Sequence, residues 1–202
     1  MPHPKITAGA LFLMAAIQFT LCLIIAEATY PGYSISANYI SDLGVGPSAI
    51  IFNVSVFILG LLVLAGTILQ RHKPNIKTLN TLLLLMAISA MGVGIFTKNY
   101  PLPHGAISSA AFFFAALSSI TSHKILPKNL SKISIMLGAM TLTALTFFSA
   151  GMLTSGSLTS TTAHDSAFYI GLGPGGMERM IVYPALSWLT AIGAYLTIKQ
   201  ET

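Results

Sequence analysis

The sequence predicts an all-α polytopic membrane protein in which six transmembrane helices form one bundle. Three observations support this fold class. The chain of 202 residues is 54% hydrophobic, and only 7% of its residues are charged. Its apolar residues also fall into six separate runs, each about as long as a membrane is thick. Because an ordinary soluble domain has about a quarter charged residues, lipid rather than water must cover much of this surface.

Each of the six runs is predicted to be a helix that crosses the bilayer. A spanning helix needs about 20 predominantly apolar residues, and a backbone in hydrocarbon must pair every N–H and C=O internally. Strands of a membrane barrel would be about ten residues long with strict alternation, which these runs lack. The predicted spans, which together form a single domain over residues 1–202, are about 6–28, 48–70, 76–97, 104–124, 131–153 and 177–198.

Basic residues in the loops predict the orientation of the bundle. Eight of the ten Lys and Arg residues fall on one side, and the cytoplasmic side of a membrane protein carries the excess of positive charge. Both termini are therefore expected in the cytoplasm, in a multi-pass protein of the cell membrane. The eight residues are Lys5, Arg71, Lys73, Lys77, Lys124, Lys128, Lys132 and Lys199. Since the charges are dispersed among loops, we expect membrane lipids rather than nucleic acid as partners.

Two long loops are predicted on the outer side, at residues 29–47 and 154–176. Long loops inside a compact domain are usually functional or disordered. These two contain Tyr, Asn, His and Gly rather than repeated charges, so we expect them to fold over the outer end of the bundle as a cap. The second loop ends in the segment 171–176, whose four glycines predict a flexible backbone.

Ionisable side chains near the outer ends of the helices are the candidate functional residues. Charged groups at membrane depth are rare and usually mark functional sites. We expect the two loops to roof a polar pocket, whose ligand-binding residues are predicted to be Asn38, Asp42, His104, Glu178 and Arg179. If the protein catalyses a reaction, the candidate catalytic residues are Ser41, Asp42 and His104.

Each candidate also has a purely structural interpretation. Asp42 precedes predicted helix 2 and suits its N-terminal dipole, so a capping role and a functional role are equally supported. His104 opens predicted helix 4, where it is either a hydrogen-bonded interfacial residue or a base. Glu178 suits the first turn of predicted helix 6. Its neighbour Arg179 must face a different direction, because adjacent residues on a helix do not face each other.

A metal site is not predicted. Two histidines and one carboxylate form a known catalytic zinc set, and the available residues on the outer side are His104, His164 and Asp42. Their spacing matches no diagnostic metal motif. The sequence also lacks the Walker A, GxSxG and CxxC patterns, so nucleotide or redox chemistry of the soluble type has no support and the cofactor is unknown.

Several short motifs resemble those of a known family. The segment 39–47, which reads Tyr-Ile-Ser-Asp-Leu-Gly-Val-Gly-Pro, is similar to the "domain of unknown function 998" family of prokaryotic six-helix membrane proteins. The segments 52–53, 103–105, 176–179 and 183–184 fit the same family pattern. The resemblance covers most of the chain and implies the six-helix fold. It implies no particular activity.

A more distant similarity connects the chain to the Frag1/DRAM/Sfk1 group of six-helix proteins. That group has an Ile-Ser-Asp-x-Gly stretch before helix 2, here 40–44, with a His and a Glu that correspond to His104 and Glu178. This resemblance implies a lipid-related role. The zinc-dependent membrane hydrolases with one Ser, one Asp and three His are less similar, because only two outer histidines are available here.

Two classes of function remain open. In the first, the pocket binds a lipid headgroup or another small polar molecule, and Arg179 and Lys98 contact a phosphate. In the second, the protein is an outward-facing, membrane-embedded hydrolase or lipid-modifying enzyme, in which His104 is a base or metal ligand and Ser41 a nucleophile. A transporter usually carries its charges near the midplane of the membrane, whereas these charges gather at one rim.

Overall fold

A computed structural model of the protein describes residues 6–72, 74–160 and 164–201. Within these residues there are six long α-helices and no β-strand, and each helix is long and apolar enough to cross a membrane. The predicted fold class is therefore confirmed. The helices are α1 (Ala8–Ala28), α2 (Ala49–Leu69), α3 (Lys77–Ile95), α4 (Pro101–Thr121), α5 (Lys128–Thr154) and α6 (Gly173–Glu201). Of the basic residues used to predict orientation, Lys5 and Lys73 lie outside the described residues.

The helices pack in chain order, and α6 returns to α1 to close the bundle. Small residues permit this closure, since a Cβ placed on Gly193 of α6 would lie 2.6 Å from the backbone nitrogen of Leu13 in α1. The start of α1 also meets the end of α6, because a Cβ on Gly9 would lie 2.7 Å from the Gly193 carbonyl oxygen. Both termini therefore lie at one end of the bundle. We call the opposite end the outer end, following the orientation that the basic residues predict.

Three helices begin earlier than predicted, and one of them is α5, which starts at Lys128 rather than near residue 131. Helix α4 starts at Pro101 rather than near residue 104, because proline is well suited to the first turn, where its missing N–H is not needed. Helix α6 starts at Gly173 rather than near residue 177, so the glycines of 173–176 are helical instead of flexible. Their role is close packing: a Cβ on Gly175 would lie 2.5 Å from the Ile35 carbonyl oxygen.

The loop between α1 and α2 folds onto the outer end as expected. The backbone nitrogen of Gly175 donates a hydrogen bond of 2.9 Å to the Ser36 carbonyl oxygen, which joins this loop to the start of α6. In the loop between α5 and α6, Ser157 and Tyr169 pack inward, whereas most of the other described residues are exposed. Tyr169 is fully buried, and its ring occupies the space that a side chain at Gly151 of α5 would need. The predicted cap is thus formed by both loops.

Candidate functional site

A small cavity lies at the outer end between α4, α5 and α6, beneath the two loops. Its volume of about 40 Å³ gives room for about three water molecules. The polar side chains that line it come from the first loop, the α3–α4 connection, the loop after α5, and helices α4 and α6. Among the described residues they are Tyr39, Ser41, Lys98, His104, Ser108, Ser109, Ser157, Ser160 and Glu178.

Asp42 forms a buried ion pair with Lys98 beside this cavity. It lies in a short 3-10 turn, Ile40–Gly44, and its Oδ2 accepts a hydrogen bond of 2.9 Å from the backbone nitrogen of Tyr39. The carboxylate also accepts a hydrogen bond of 3.3 Å from the Asn38 side chain, and the Lys98 ammonium pairs with its Oδ1. Asp42 therefore caps its own turn and not α2, whose N-cap is Ser48. The expected contact of Asp42 with the α2 dipole is wrong, because Asp42 lies six positions before the N-cap of that helix and its carboxylate is bound within its own turn.

Glu178 lies close to Asp42 and faces the cavity. Its Oε2 accepts a hydrogen bond of 2.5 Å from the backbone nitrogen of Ile40. Since the two carboxylates bind the amides of consecutive residues, their acceptor oxygens are within about 9 Å of each other. No described residue donates a hydrogen bond to the second oxygen, Oε1. Glu178 is only 6% exposed, so this unused acceptor is held in a largely dry environment.

His104 lines the same cavity from the first turns of α4. Its Nδ1 lies 2.8 Å from the Phe96 carbonyl oxygen. A carbonyl oxygen only accepts, so Nδ1 carries the hydrogen, and Nε2 of the neutral ring is an acceptor. This bond fixes the ring orientation and leaves Nε2 without a partner among the described residues. The sequence prediction of a hydrogen-bonded interfacial histidine and that of a base are both compatible with this geometry.

Tyr39 places a phenol against the same cavity. The Lys98 ammonium lies 4.2 Å from the centre of its ring, and the ring packs edge-on against Phe148. The Tyr39 hydroxyl lies near those of Tyr169 and Ser157, but no hydrogen bond of acceptable geometry joins them. Burial raises the pKa of Tyr39 far above its usual range, so the hydroxyl stays protonated and remains a donor.

Arg179 points away from the cavity and fastens the first loop to the bundle. Its guanidinium donates to Glu27 of α1 at 2.5 Å, to the Tyr33 hydroxyl at 2.8 Å and to the Ile35 carbonyl oxygen at 2.8 Å. Burial raises the pKa of Tyr33, although the bond from Arg179 acts in the opposite direction. These contacts support a structural role. Contact of Arg179 or Asn38 with a ligand stays a prediction, and neither residue lines the cavity.

One family model matches this chain. The family described as "Protein of unknown function (DUF998)" matches residues 13–195, which include every candidate site residue and most of all six helices. The chain belongs to the DUF998 family. The family resemblance carried by the short motifs is therefore confirmed. No match to this DUF998 chain was found among curated proteins or among solved structures.

The charges at the outer end of this DUF998 protein do not balance. Five charged side chains are buried or half-buried there, and two ion pairs, Lys98–Asp42 and Arg179–Glu27, account for four of them. The fifth is Glu178, whose described hydrogen-bond partner is a backbone N–H rather than a cation. A buried carboxylate without a cation is costly. Glu178 therefore stands out as the group whose charge requires a proton or a cation from outside the chain.

The remaining candidate residues have weaker support as functional groups. His164 is exposed and does not line the cavity. Among the residues that the structure describes, no group of three or more His, Cys, Asp or Glu side chains could hold a metal ion. Ser41 is buried, and it lines the cavity from the 3-10 turn.

Two lining residues, Ser157 and Ser108, carried no signal in the sequence, because serines are frequent in this chain. Tyr39 could be noticed in the sequence, because a capping role of Asp42 does not explain why a tyrosine lies beside it.

Proposed function

We propose that the outer cavity of this DUF998 protein binds a small polar ligand or the polar headgroup of a membrane lipid. The observation that carries the proposal is the unused hydrogen-bonding capacity of three groups that line the cavity. These are an oxygen of Glu178, the Nε2 atom of His104 and the hydroxyl of Tyr39. The Tyr39 hydroxyl is fully buried without a partner, and buried polar groups in proteins nearly always have one. A bound ligand with several hydrogen-bond donors would supply partners for all three, because a carboxylate oxygen and Nε2 accept and a phenol hydroxyl can also accept.

Arg179 provides an internal comparison for this argument. It is equally buried, and its terminal nitrogens donate to four oxygen atoms of the protein, one of them a carboxylate oxygen of Glu27, although its Nε is buried without a hydrogen-bond partner. This is how a charged side chain with a structural role is satisfied. Glu178, the adjacent residue, has one described hydrogen bond and faces the cavity. The contrast favours a binding role for Glu178 over a second structural anchor.

The volume of the cavity limits what it can accept. With room for about three water molecules, it fits a group of three or four non-hydrogen atoms. A larger headgroup would require the residues after α5 that line the cavity, including Ser157, to move outward. We also propose that the protein is a single domain in the cell membrane with both termini in the cytoplasm, which the bias of basic residues supports.

The test compares purified wild-type protein with variants that keep the shape of the site. Glu178→Gln removes the charge, and His104→Asn retains a donor near the Nδ1 position while it removes Nε2. Asp165→Asn, which changes an exposed carboxyl in the same region, is the matched control. Molecules that remain bound after detergent exchange are identified by native mass spectrometry. We expect a bound molecule on the wild type and on Asp165→Asn, and a loss of at least tenfold for the other two variants. Equal retention by all four proteins would refute the proposal.

A second candidate function is hydrolysis of an acyl or related bond at the same cavity. It is favoured by the His104 ring, which is oriented through Nδ1 by a carbonyl, as a catalytic base requires, and by the Ser41 hydroxyl in the same lining. Covalent labelling with an alkyl fluorophosphonate distinguishes the two functions. An enzyme is expected to be labelled at Ser41, with no label on Ser41→Ala or His104→Asn. A binding protein retains its ligand in Ser41→Ala and is not labelled.

A further inference from the structure

A second cavity lies deeper in the bundle, towards the middle of the membrane. Its volume is about 90 Å³, twice that of the outer cavity, and its lining is almost entirely apolar. Side chains of α1, α2, α3, α4 and α6 surround it, among them Phe19, Met86, Ala115, Val182 and Leu189. It is therefore at the centre of the bundle rather than on a surface that faces lipid.

Small side chains create this central cavity. Ala90, Ala111 and Ala115 line it and are each less than a tenth exposed. In membrane proteins such residues usually allow helix backbones to approach closely. Elsewhere in this bundle small residues do allow such an approach, because Gly94 of α3 packs directly against Asn53 and Phe57 of α2. The three alanines around the central cavity border open volume instead, although protein interiors are normally close-packed.

The two cavities share one wall. Phe112 of α4 lines both, with the polar residues of the outer cavity on one side and the apolar residues of the central cavity on the other. His104 and Ala115 on the same helix are eleven residues apart, which corresponds to about 16 Å along the axis. The two volumes thus follow one another inward from the outer end, polar first and apolar second, as the two parts of an amphiphile would require.

Charge selects the kind of headgroup. Lys98 is already neutralised by Asp42, so the charge that lacks a described partner is the carboxylate of Glu178. A cation beside Glu178 would balance the buried charge. The rings of Phe112 and Phe148, which line the same cavity, are suitable neighbours for an ammonium group. The small volume accepts a primary amine or amino alcohol and excludes a bulky headgroup.

We propose that the ligand is a single-chain amphiphile with a small ammonium headgroup, held by Glu178 in the outer cavity while its hydrocarbon chain passes Phe112 into the central cavity. This inference rests on the proposed function of the outer cavity and specifies its ligand. On the scale used for the outer cavity, the central cavity of about 90 Å³ has room for about seven water-sized groups, so it accepts one short chain of about eight carbons and excludes lipids with two chains.

Photolabelling in lipid nanodiscs tests the proposal. The probe is octylamine with a diazirine at the end of its chain, and a second probe carries the diazirine beside the amine. Peptide mass spectrometry locates the labels. We expect the chain-end probe to label residues of the central cavity such as Met86 and Leu189, and the headgroup probe to label the outer cavity near His104. Unlabelled octylamine should compete with both, whereas octanol and octanoate at the same concentration should not.

Three variants keep the test independent of folding failure. Ala115→Phe fills the central cavity and should reduce its labelling at least tenfold. Ala139→Phe, which makes the same change on the exposed, lipid-facing side of α5, should leave it unchanged. Phe112→Ala enlarges the passage and should increase the labelling.

Labelling of the outer cavity alone would overturn this inference while the proposed function stands. Equal competition by all three amphiphiles would overturn the choice of an ammonium group. Absence of competed labelling in both cavities would overturn the proposed function as well.

Discussion

The buried ion pair between Lys98 and Asp42 yields the sharpest energetic prediction. Lys98 is 5% exposed and Asp42 8% exposed, so solvent screens neither charge effectively. Lys98→Met keeps the length of the side chain and removes its charge, which leaves a second uncompensated carboxylate next to Glu178. Breaking a buried pair in this way costs about 3–5 kcal/mol. Because Asp42 retains its hydrogen bond from Tyr39, we expect a loss near the lower limit, about 3 kcal/mol.

A double-mutant cycle separates the ion pair from the other effects of each substitution. Asp42→Asn alone leaves the Lys98 ammonium over the Tyr39 ring without its carboxylate, and should also cost about 3 kcal/mol. The double variant removes both charges, so its loss should be close to that of either single variant. The expected coupling between the two residues is therefore about 2–3 kcal/mol.

Equilibrium unfolding in mixed micelles measures these free energies of unfolding. Trp188 is the single tryptophan of the chain and is 1% exposed, so its fluorescence reports opening of the bundle. Losses for the two single variants that add to within about 0.5 kcal/mol in the double variant would refute the reasoning, because the two charges would then be independent.

Three further predictions concern packing and orientation. Gly175→Ala should lower the free energy of unfolding by about 2–3 kcal/mol in the same assay, because the added methyl overlaps the first loop, whereas Gly105→Ala, which has open space around it, should raise it by about 0.5–1 kcal/mol. Ala115→Leu should raise the free energy of unfolding by up to about 2 kcal/mol, because it fills the central cavity, and it should lower ligand retention. A lower free energy of unfolding together with lower retention would contradict this expectation. In a cysteine-free background, Ala37→Cys should react with an impermeant thiol reagent added outside intact cells, and Lys128→Cys should react only after permeabilisation; the reverse pattern would overturn the orientation.

The positions of the helices were predictable because the physics of the bilayer is simple. Apolar runs of about 20 residues have no other stable structure in hydrocarbon. The errors at the starts of α4 and α6 have a common cause. The sequence pattern places Pro101 and Gly173 in loops, although proline is favoured in a first helical turn and glycine permits the close approach of another backbone. Whether a glycine serves flexibility or packing depends on the neighbour, which the sequence does not specify.

The candidate site was partly predictable for a similar reason. Asp42, His104 and Glu178 are ionisable groups near membrane depth, where such groups are rare, and the structure brings them together around one small cavity and its rim. The different directions of Glu178 and Arg179 also follow from their adjacency on a helix.

The partners of the two cations were not predictable. Lys98 and Arg179 were expected to contact a phosphate, yet each pairs with a carboxylate far away in the chain. Pairings of this kind depend on how the loops fold across the outer end, for which the sequence has no local signal. The same holds for Ser157, which reaches the cavity only because its loop folds back.

A high-resolution cryo-electron microscopy structure of the wild-type protein in lipid nanodiscs tests the account most directly. We expect non-protein density in the outer cavity, within hydrogen-bonding distance of Glu178 and His104. This density should continue past Phe112 towards the middle of the bundle. A cavity in which Glu178, His104 and Tyr39 bond only to one another or to water would contradict it.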